Sequence, residues 1–319
     1  MQLKIIRLFV LILEHITKHF VSLNLRPKQF KVETYPKFYD SYLAYANDWC
    51  ILVQGPIVND HDFTMNTIMF YRHLYPNVSI ILSSWIGEKS KIDENRLKDL
   101  GVYFLFNEMP TYRGISNINL QLVSTQKGLK FASDLGVKYI LKTRTDQRVC
   151  KTIDFLGHMQ NLQLNFPLAH DVLSSRLVIA STNSFKSRFY GITDMFMFGQ
   201  MADMQLYWEI PLESEFQQNV PLNSDPVYFI ANKQAEGYLV NHFFEALRFT
   251  PQWTLEDSQF FVANFFCVVD KEQLDLFWLK YERFIETISF HRKNDAQNWQ
   301  RFEFADWLKS FHLYGKKES

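Results

Sequence analysis

Several signatures of common enzyme classes are missing from this chain of 319 residues. It has no P-loop with a Lys-Ser/Thr pair and no GxGxxG motif after its first predicted strand, so an NTPase or a dinucleotide oxidoreductase has little support. A GxSxG motif is also absent, which removes the usual signature of a serine hydrolase. A nucleotide bound by this protein would therefore be held in a different way.

The chain is also poor in cysteine and has no net charge. Its 3 cysteines, Cys50, Cys150 and Cys267, form no CxxC pair, which argues against a zinc knuckle or a disulfide framework and fits a reducing compartment. The 34 basic and 34 acidic side chains cancel, so the charge balance gives no reason to expect a nucleic-acid partner.

The amino terminus lacks an apolar run long enough to span a membrane. Ile5–Leu13 is far shorter than the roughly 20 residues of a span. Glu14 interrupts the run and no small-residue cleavage site follows, so we do not expect a secretory signal. Residues 1–25 are typical of an amphipathic helix on a membrane surface, and the alternative is a helix docked on the protein's own core.

From Trp49 onward the chain alternates predicted strands with predicted helices. This alternation indicates the α/β class, with a mostly parallel sheet covered on both faces. The predicted strands are Cys50–Val58, Val78–Trp85, Val102–Phe106 and Tyr139–Val149, and the predicted helices are Phe63–Leu74, Asp93–Leu100 and Asn117–Leu135.

The second half of the chain is less regular. It contains predicted strands at Arg176–Thr182 and Tyr190–Gly199 and a predicted helix at Ala235–Leu247. From Lys271 onward, aromatic residues recur in a helical pattern, so we expect a C-terminal helical cap. Its aromatic residues suit core packing, and with the neighbouring Lys and Arg they also suit a membrane interface.

Charged side chains follow the apolar half of Tyr139–Val149, whose sequence is YILKTRTDQRV. Strand alternation predicts that its four charged side chains share one face, near the carboxyl end of a strand where α/β proteins bind ligands. These side chains are Lys142, Arg144, Asp146 and Arg148. The alternative is a solvated edge strand whose charges pair with one another.

Sugar transfer from a nucleotide donor calls for such a mixture of charges. Its transition state develops positive charge on the sugar carbon and negative charge on the departing diphosphate. Asp146 is a candidate ligand for an Mg²⁺ or Mn²⁺ ion that bridges the diphosphate. Direct phosphate binding by Arg144 or Arg148, without a metal, is the alternative.

Six short segments, in this order, resemble the WavE family of lipopolysaccharide synthesis proteins. They are QGPI at 54–57, ILSSW at 81–85, NINLQLVST at 117–125, LKTRTD at 141–146, TDMFMFG at 193–199 and AEGYL at 235–239. The resemblance covers roughly residues 49–250.

The resemblance implies a bacterial glycosyltransferase of the GT-A type. Its fold would be a three-layer sandwich with a mostly parallel central sheet, extended by C-terminal helices. It would use a nucleotide sugar and a lipid-linked glycan acceptor to build lipopolysaccharide or capsular polysaccharide, as a cytoplasmic protein peripheral on the inner membrane. Within its range, the resemblance implies a nucleotide-sugar-binding half at 49–150 and an acceptor-side half at 151–255. The residue patterns add the helix at 1–25 and the helical cap at 256–319.

The GT-A arrangement also implies roles for individual residues. The turn Gln54-Gly55-Pro56 would border the nucleotide base, beside the strand end Ser83-Ser84-Trp85, and Asp146 would face the diphosphate. The usual pattern has two Asp residues flanking one position. Arg144 stands in place of the first, which leaves metal dependence open.

Further polar residues would contact the donor. Asn117, Asn119 and Gln121 lie at a predicted helix start, where side chains and backbone N–H groups can bind phosphate or cap the helix. The whole donor-binding set is Gln54, Gly55, Pro56, Ser83, Ser84, Asn117, Asn119, Gln121, Lys142, Arg144 and Arg148.

An inverting transfer also needs a carboxylate to take the proton of the acceptor hydroxyl. Asp194, among apolar residues, is the first candidate and Glu236 the second, followed by Asp257. Helix capping or an ion pair is the alternative role for each. Two other functions remain open: a nucleotidyltransferase, although the glycine-rich loop with its lysine is missing, and a non-catalytic scaffold of polysaccharide assembly.

Overall fold

The computed structural model describes residues 22–23, 48–150, 154–214, 234–279, 288–289 and 300–315. Most of the predicted N-terminal helix at 1–25 lies outside them. The two residues described there, Ser22–Leu23, form a short strand paired with Ile288–Ser289. None of the described helices combines the length and the hydropathy needed to cross a bilayer.

Strands and helices alternate through the described chain. The strands are β1 (Ser22–Leu23), β2 (Trp49–Gln54), β3 (Ser79–Trp85), β4 (Tyr103–Asn107), β5 (Tyr139–Arg144), β6 (Gln147–Val149), β7 (Leu177–Ala180), β8 (Met197–Gln200), β9 (Phe266–Val269), β10 (Leu276–Trp278) and β11 (Ile288–Ser289). The α-helices are α1 (Phe63–Leu74), α2 (Glu94–Asp99), α3 (Ile118–Asp134), α4 (Phe155–Asn165), α5 (Met201–Trp208), α6 (Ala235–Leu247), α7 (Leu255–Phe265), α8 (Lys271–Leu274) and α9 (Phe304–Ser310).

The central sheet has seven strands in the order β4-β3-β2-β5-β8-β7-β9. The first four strands in that order run parallel, and β8 pairs antiparallel with both of its neighbours. Every residue of β2 is buried, although successive side chains point to opposite faces, so both faces of the sheet are covered. The predicted α/β class with a mostly parallel central sheet is confirmed.

Gly128 lets α3 pack closely on the sheet. A Cβ at this position would lie 2.4 Å from Cδ1 of the buried Leu52 on β2. We expect Gly128→Ala to cost about 1 kcal/mol of unfolding free energy, because overpacking of about 1–3 kcal/mol exceeds the helix-propensity gain of about 1 kcal/mol. Urea denaturation would measure the loss. Gly87→Ala, where the new Cβ meets nothing within 4 Å, is the control, and equal stabilities of the two variants would contradict the packing explanation.

The prediction of one strand over Tyr139–Val149 is wrong. The central strand β5 ends at Arg144, the chain turns at Thr145-Asp146, and β6 leaves the sheet to pair antiparallel with β10. The turn breaks the two-residue alternation of side chains, so the four charged residues do not share one face.

The C-terminal segment is not purely helical either. Phe277 and Trp278 belong to strand β10, and β9 is an edge strand of the central sheet. The predicted helical character holds for α7, for α9 and for the π-helical turn Phe311–Gly315. In the predicted strand Tyr190–Gly199, only Met197–Gly199 is extended, as part of β8, and Asp194 lies in the bend before it.

Candidate active site

A pocket of about 400 Å³ lies at the carboxyl ends of parallel strands β2, β3 and β5. The last residues of these strands, Gln54, Trp85 and Arg144, all line it. This edge of an α/β sheet is the usual place for ligand binding. The predicted site residues that line the pocket are Gln54, Gly55, Pro56, Asn117, Gln121, Arg144, Asp194 and Glu236.

The turn after β2 is fixed against the end of β5. Gly55 has φ +120°, a conformation that L side chains rarely adopt, and a Cβ there would lie 3.1 Å from Oγ1 of Thr145. Thr145 donates its N–H to the Gln54 carbonyl at 3.0 Å and its hydroxyl to the Pro56 carbonyl at 2.6 Å. Two strand ends thus form one stiff wall of the pocket.

Arg144 is held at the pocket by Asp146 and Trp278. Its Nε and Nη2 donate to Oδ1 and Oδ2 of Asp146 at 2.8 and 3.2 Å, and its guanidinium carbon lies 5.9 Å from the Trp278 ring centroid. The indole Nε1 of Trp278 also donates to Oδ2 of Asp146, at 3.1 Å. Burial raises the pKa of Asp146, but the bonds from Arg144 and Trp278 and the Arg144 charge outweigh burial, so the net pKa is lowered.

These contacts do not fit a metal ion on Asp146. Both of its carboxylate oxygens already accept hydrogen bonds from Arg144 or Trp278. The described part of the chain also contains no group of three His, Cys, Asp or Glu side chains that could hold an ion. A hard cation such as Mg²⁺ or Mn²⁺ prefers several oxygen ligands, and the protein offers few here.

Asp194 is oriented by a chain of polar contacts. Gln121 donates from Nε2 to Oδ2 of Asp194, while Oε1 of Gln121 accepts a bond of 3.3 Å from Nζ of Lys142. Lys142 also donates to the backbone carbonyl of Asp194. The other carboxylate oxygen, Oδ1, is buried and has no hydrogen-bond partner among the described residues. Asp194 therefore presents one oxygen that can accept a proton.

Lys142 lies beneath the pocket and does not line it. Its side chain is fully buried and its Nζ lies 4.3 Å from the Trp208 ring centroid. Burial lowers the pKa of Lys142 to about 7, against the opposing effect of the Asp194 charge. Lys142 therefore positions Asp194 and Gln121 and does not line the pocket, in contrast to its predicted role in donor binding.

Glu236 is the second carboxyl group of the pocket and lies in the first turn of α6. Its Oε1 accepts bonds from Asn183 at 2.5 Å and from Arg188 at 3.2 Å. Burial and the Asp194 charge raise the pKa of Glu236, and the Arg188 charge opposes them. The two carboxyl groups thus interact electrostatically within one pocket.

Three other predicted donor contacts are absent from the pocket wall. Ser83 and Ser84 are fully buried below it, and Ser83 donates to the Ser124 carbonyl at 2.7 Å. Asn119 is buried and bonds through its side chain to the backbone of Tyr112 and Glu213. These residues stabilise the surroundings of the pocket and do not line it.

The prediction that Arg148 faces the pocket is wrong. Its Nε donates to Oγ1 of Thr67 at 2.9 Å and its Nη2 to the Phe63 carbonyl at 3.1 Å, with the guanidinium 4.4 Å from the Phe63 ring centroid. It is buried against α1 because the turn at Thr145-Asp146 redirects the chain. Asp257 also lies away from the pocket, where it accepts bonds from Tyr190 and the Gln252 backbone.

Sequence reasoning missed two pocket residues that matter for charge and shape, Arg113 and Trp278. Arg113 stands just before Gly114 at the start of the predicted helix, so a search for cations beside helix starts would have found it. Trp278 is 132 residues from Asp146, the residue it contacts, and no local pattern signals such a pairing.

Comparison with known proteins gives one extensive match. A family model for WavE lipopolysaccharide synthesis matches residues 50–318. A search of curated proteins finds no match.

Solved structures with some similarity include three enzymes. A cytidylyltransferase from Leptospira borgpetersenii is 12% identical with a TM-score of 0.34, and the likeness covers 84% of this chain and 94% of that one. A glycosyltransferase involved in glycosylation of the major capsid of PBCV-1 is 11% identical, with a TM-score of 0.25 and coverage of 56% and 70%. A UDP-glucose phosphorylase from Trypanosoma brucei is 12% identical, with a TM-score of 0.28 and coverage of 65% and 61%.

At these identities and TM-scores, the three likenesses carry no information about function. The family match is different in kind, since it extends over most of the chain and includes every residue of the pocket. The chain belongs to the WavE family of lipopolysaccharide synthesis proteins.

Proposed function

We propose that this protein is a glycosyltransferase that moves a sugar from a nucleotide-sugar donor to a lipopolysaccharide or capsular polysaccharide acceptor. The observation that carries the proposal is the composition of one pocket. One cavity of about 400 Å³ is lined by two arginines, two carboxyl groups and two tryptophans: Arg113, Arg144, Asp194, Glu236, Trp85 and Trp278. Membership of a lipopolysaccharide synthesis family supports it.

The charges of the pocket suit both ends of the reaction. Arginines stabilise the negative charge that develops on the departing diphosphate. Trp85 and Trp278, both largely buried, contribute apolar atoms to the pocket wall. In the transfer, the bond from the anomeric carbon to the diphosphate oxygen breaks and a bond from that carbon to the acceptor oxygen forms. The acceptor proton passes to a carboxylate of the protein.

Asp194 is the residue we assign as that base. Its Oδ1 is buried at the pocket without a partner among the described residues, and Gln121 holds Oδ2. A general base needs an unused lone pair in a fixed orientation. Gln121 fixes the carboxylate of Asp194, and no described residue uses the lone pairs of Oδ1. Glu236 is less suited to this role, because its Oε1 is held by Asn183 and Arg188.

The acceptor and the location of the protein follow from the same proposal. A lipid-linked glycan is presented at a membrane surface, and we propose that the protein acts as a cytoplasmic enzyme peripheral on the inner membrane. The basic amphipathic pattern of residues 1–25 supports this location.

Thermal unfolding with a panel of nucleotide sugars tests the donor. We expect at least one of them to raise Tm, because a ligand at about 100 times its Kd stabilises the folded state by about 2.7 kcal/mol. The matching free sugars are the control and should leave Tm unchanged. A panel without any shift would contradict the enzyme and favour a scaffold.

The products separate the two enzyme classes. A glycosyltransferase releases a nucleoside diphosphate or monophosphate from a nucleotide sugar. A nucleotidyltransferase consumes a nucleoside triphosphate and a sugar phosphate and releases pyrophosphate. Pyrophosphate release with those substrates would overturn the proposal.

A further inference from the structure

Both carboxylate oxygens of Asp146 are engaged in bonds that position Arg144. Oδ1 accepts from Nε of Arg144 at 2.8 Å, and Oδ2 accepts from Nη2 of Arg144 at 3.2 Å and from Nε1 of Trp278 at 3.1 Å. The side chains of Arg144 and Asp146 are only 19% and 14% exposed, so the pair is largely shielded from competing water. Bidentate pairs of this kind are among the stronger hydrogen-bonded contacts in proteins.

The other carboxyl groups of the pocket do not replace Asp146 as a metal site. Oδ2 of Asp194 is bonded to Gln121, and Oε1 of Glu236 is bonded to Asn183 and Arg188. One remaining oxygen on each is a thin set of ligands for a divalent ion. Over the ranges that the structure describes, no third His, Cys, Asp or Glu side chain completes the set.

The pocket instead contains two arginines, which are held by different parts of the chain. Arg144 is fixed at the end of β5 by Asp146, whereas Arg113 lies in the loop before α3. The Arg113 carbonyl accepts a bond of 3.0 Å from the Asn119 N–H, and Glu213 accepts the N–H of Ile115. The loop backbone is thereby held, while the Arg113 side chain is exposed and lines the pocket.

We propose that Arg113 and Arg144 bind the donor diphosphate without a divalent metal, and that Asp146 is the residue that positions Arg144. This inference rests on the proposed nucleotide-sugar function. The diphosphate bridge of a nucleotide sugar carries two negative charges. The Arg113 guanidinium offsets one of them, and Arg144, whose charge Asp146 already balances, contributes N–H donors to the phosphate oxygens. Guanidinium groups bind phosphate oxygens in a bidentate manner, which fixes orientation as well as charge.

Calorimetric titration of the full chain with UDP, CDP, GDP and ADP tests the inference, with each nucleotide run in EDTA and again in MnCl₂. We expect at least one nucleotide to bind in EDTA, with a Kd within about threefold of the value in MnCl₂. Arg113→Met should weaken that binding by about 10- to 100-fold in both buffers, the usual loss when a hydrogen bond to a charged group is removed. Arg96→Met, which changes an exposed arginine on α2 outside the pocket, is the matched control and should leave Kd unchanged.

Asp146→Asn separates a positioning residue from a metal ligand. If Asp146 positions Arg144, the variant should weaken nucleotide binding by the same factor in EDTA and in MnCl₂. Binding that requires MnCl₂, or a variant that loses only the Mn²⁺-dependent part, would overturn the inference and leave the glycosyltransferase proposal standing. If no nucleotide binds in either buffer, both proposals fail. Arg113→Met lies on an exposed loop and should fold, so it gives a result even if Asp146→Asn does not.

Discussion

Replacing Asp194 with asparagine should lower the rate of sugar transfer by about 10²- to 10⁴-fold, the usual contribution of a general base. Asparagine keeps the shape of the side chain and an oxygen that can accept the Gln121 bond, but it cannot take a proton from the acceptor. Because Asp194 is not assigned to the donor phosphates, nucleotide-sugar affinity should change by about twofold or less. Initial rates at saturating donor, together with calorimetric Kd values, would measure both.

Asp257→Asn is the matched control for this experiment. It changes a carboxylate outside the pocket that accepts bonds from Tyr190 and the Gln252 backbone, so it should affect stability more than transfer. Glu236→Gln should reduce transfer less than Asp194→Asn does, because Asn183 and Arg188 already engage Oε1 of Glu236, whereas Oδ1 of Asp194 has no partner among the described residues. Full transfer activity in Asp194→Asn would contradict the assignment of the base.

Unfolding experiments between pH 7 and pH 9 should reveal the effect of Lys142 titration on stability. The pKa of this lysine is about 7 in the folded protein and about 10.5 in the unfolded chain, so between these values the unfolded state binds more protons. Stability from this group therefore rises with pH. From pH 7 to pH 9 we expect the unfolding free energy of the wild-type protein to gain about 2 kcal/mol relative to Lys142→Met.

The comparison with Lys142→Met removes the contribution of the other titrating groups to the pH dependence of stability. Burial raises the pKa of Cys50 and Cys267, so these thiols act in the opposite direction as pH rises toward their unfolded values. They are the same in both proteins and cancel in the difference. Urea denaturation at pH 7, 8 and 9 provides the free energies. A difference in unfolding free energy between wild type and Lys142→Met that is constant over this range would show that Lys142 keeps its charge when buried.

The first half of the fold could be predicted because each parallel strand is a continuous apolar run bounded by turn residues. The same regularity placed Gln54 and Arg144 at one edge of the sheet, since the carboxyl ends of parallel strands meet there. The prediction failed for Arg148, where a turn of two residues broke the alternation that the charge pattern assumed. A charged segment carries no signal of where its strand ends.

The strands and pocket contacts of the second half could not be predicted, for a different reason. Its strands are short, and two of the contacts that complete the pocket join distant parts of the chain. Asp194 was found because a carboxylate among apolar residues is unusual, yet its orientation depends on Gln121, 73 residues earlier. Trp278 resembles any core aromatic in sequence, and only its pairing with β6 brings it to the pocket. Such long-range pairings leave no periodic pattern in the sequence.

The pairing of β10 with β6 has a consequence for synthesis on the ribosome. Trp278 is translated 132 residues after Asp146, the carboxylate it contacts. Because about 5–20 residues are added per second, Arg144 and Asp146 are present in the nascent chain on the order of 10 s before Trp278 is translated. The parallel half of the sheet can assemble from the nascent chain in that time, but the wall that holds Arg144 cannot. A chain released before Leu276 would therefore contain every parallel strand of the first half and still lack a complete donor site.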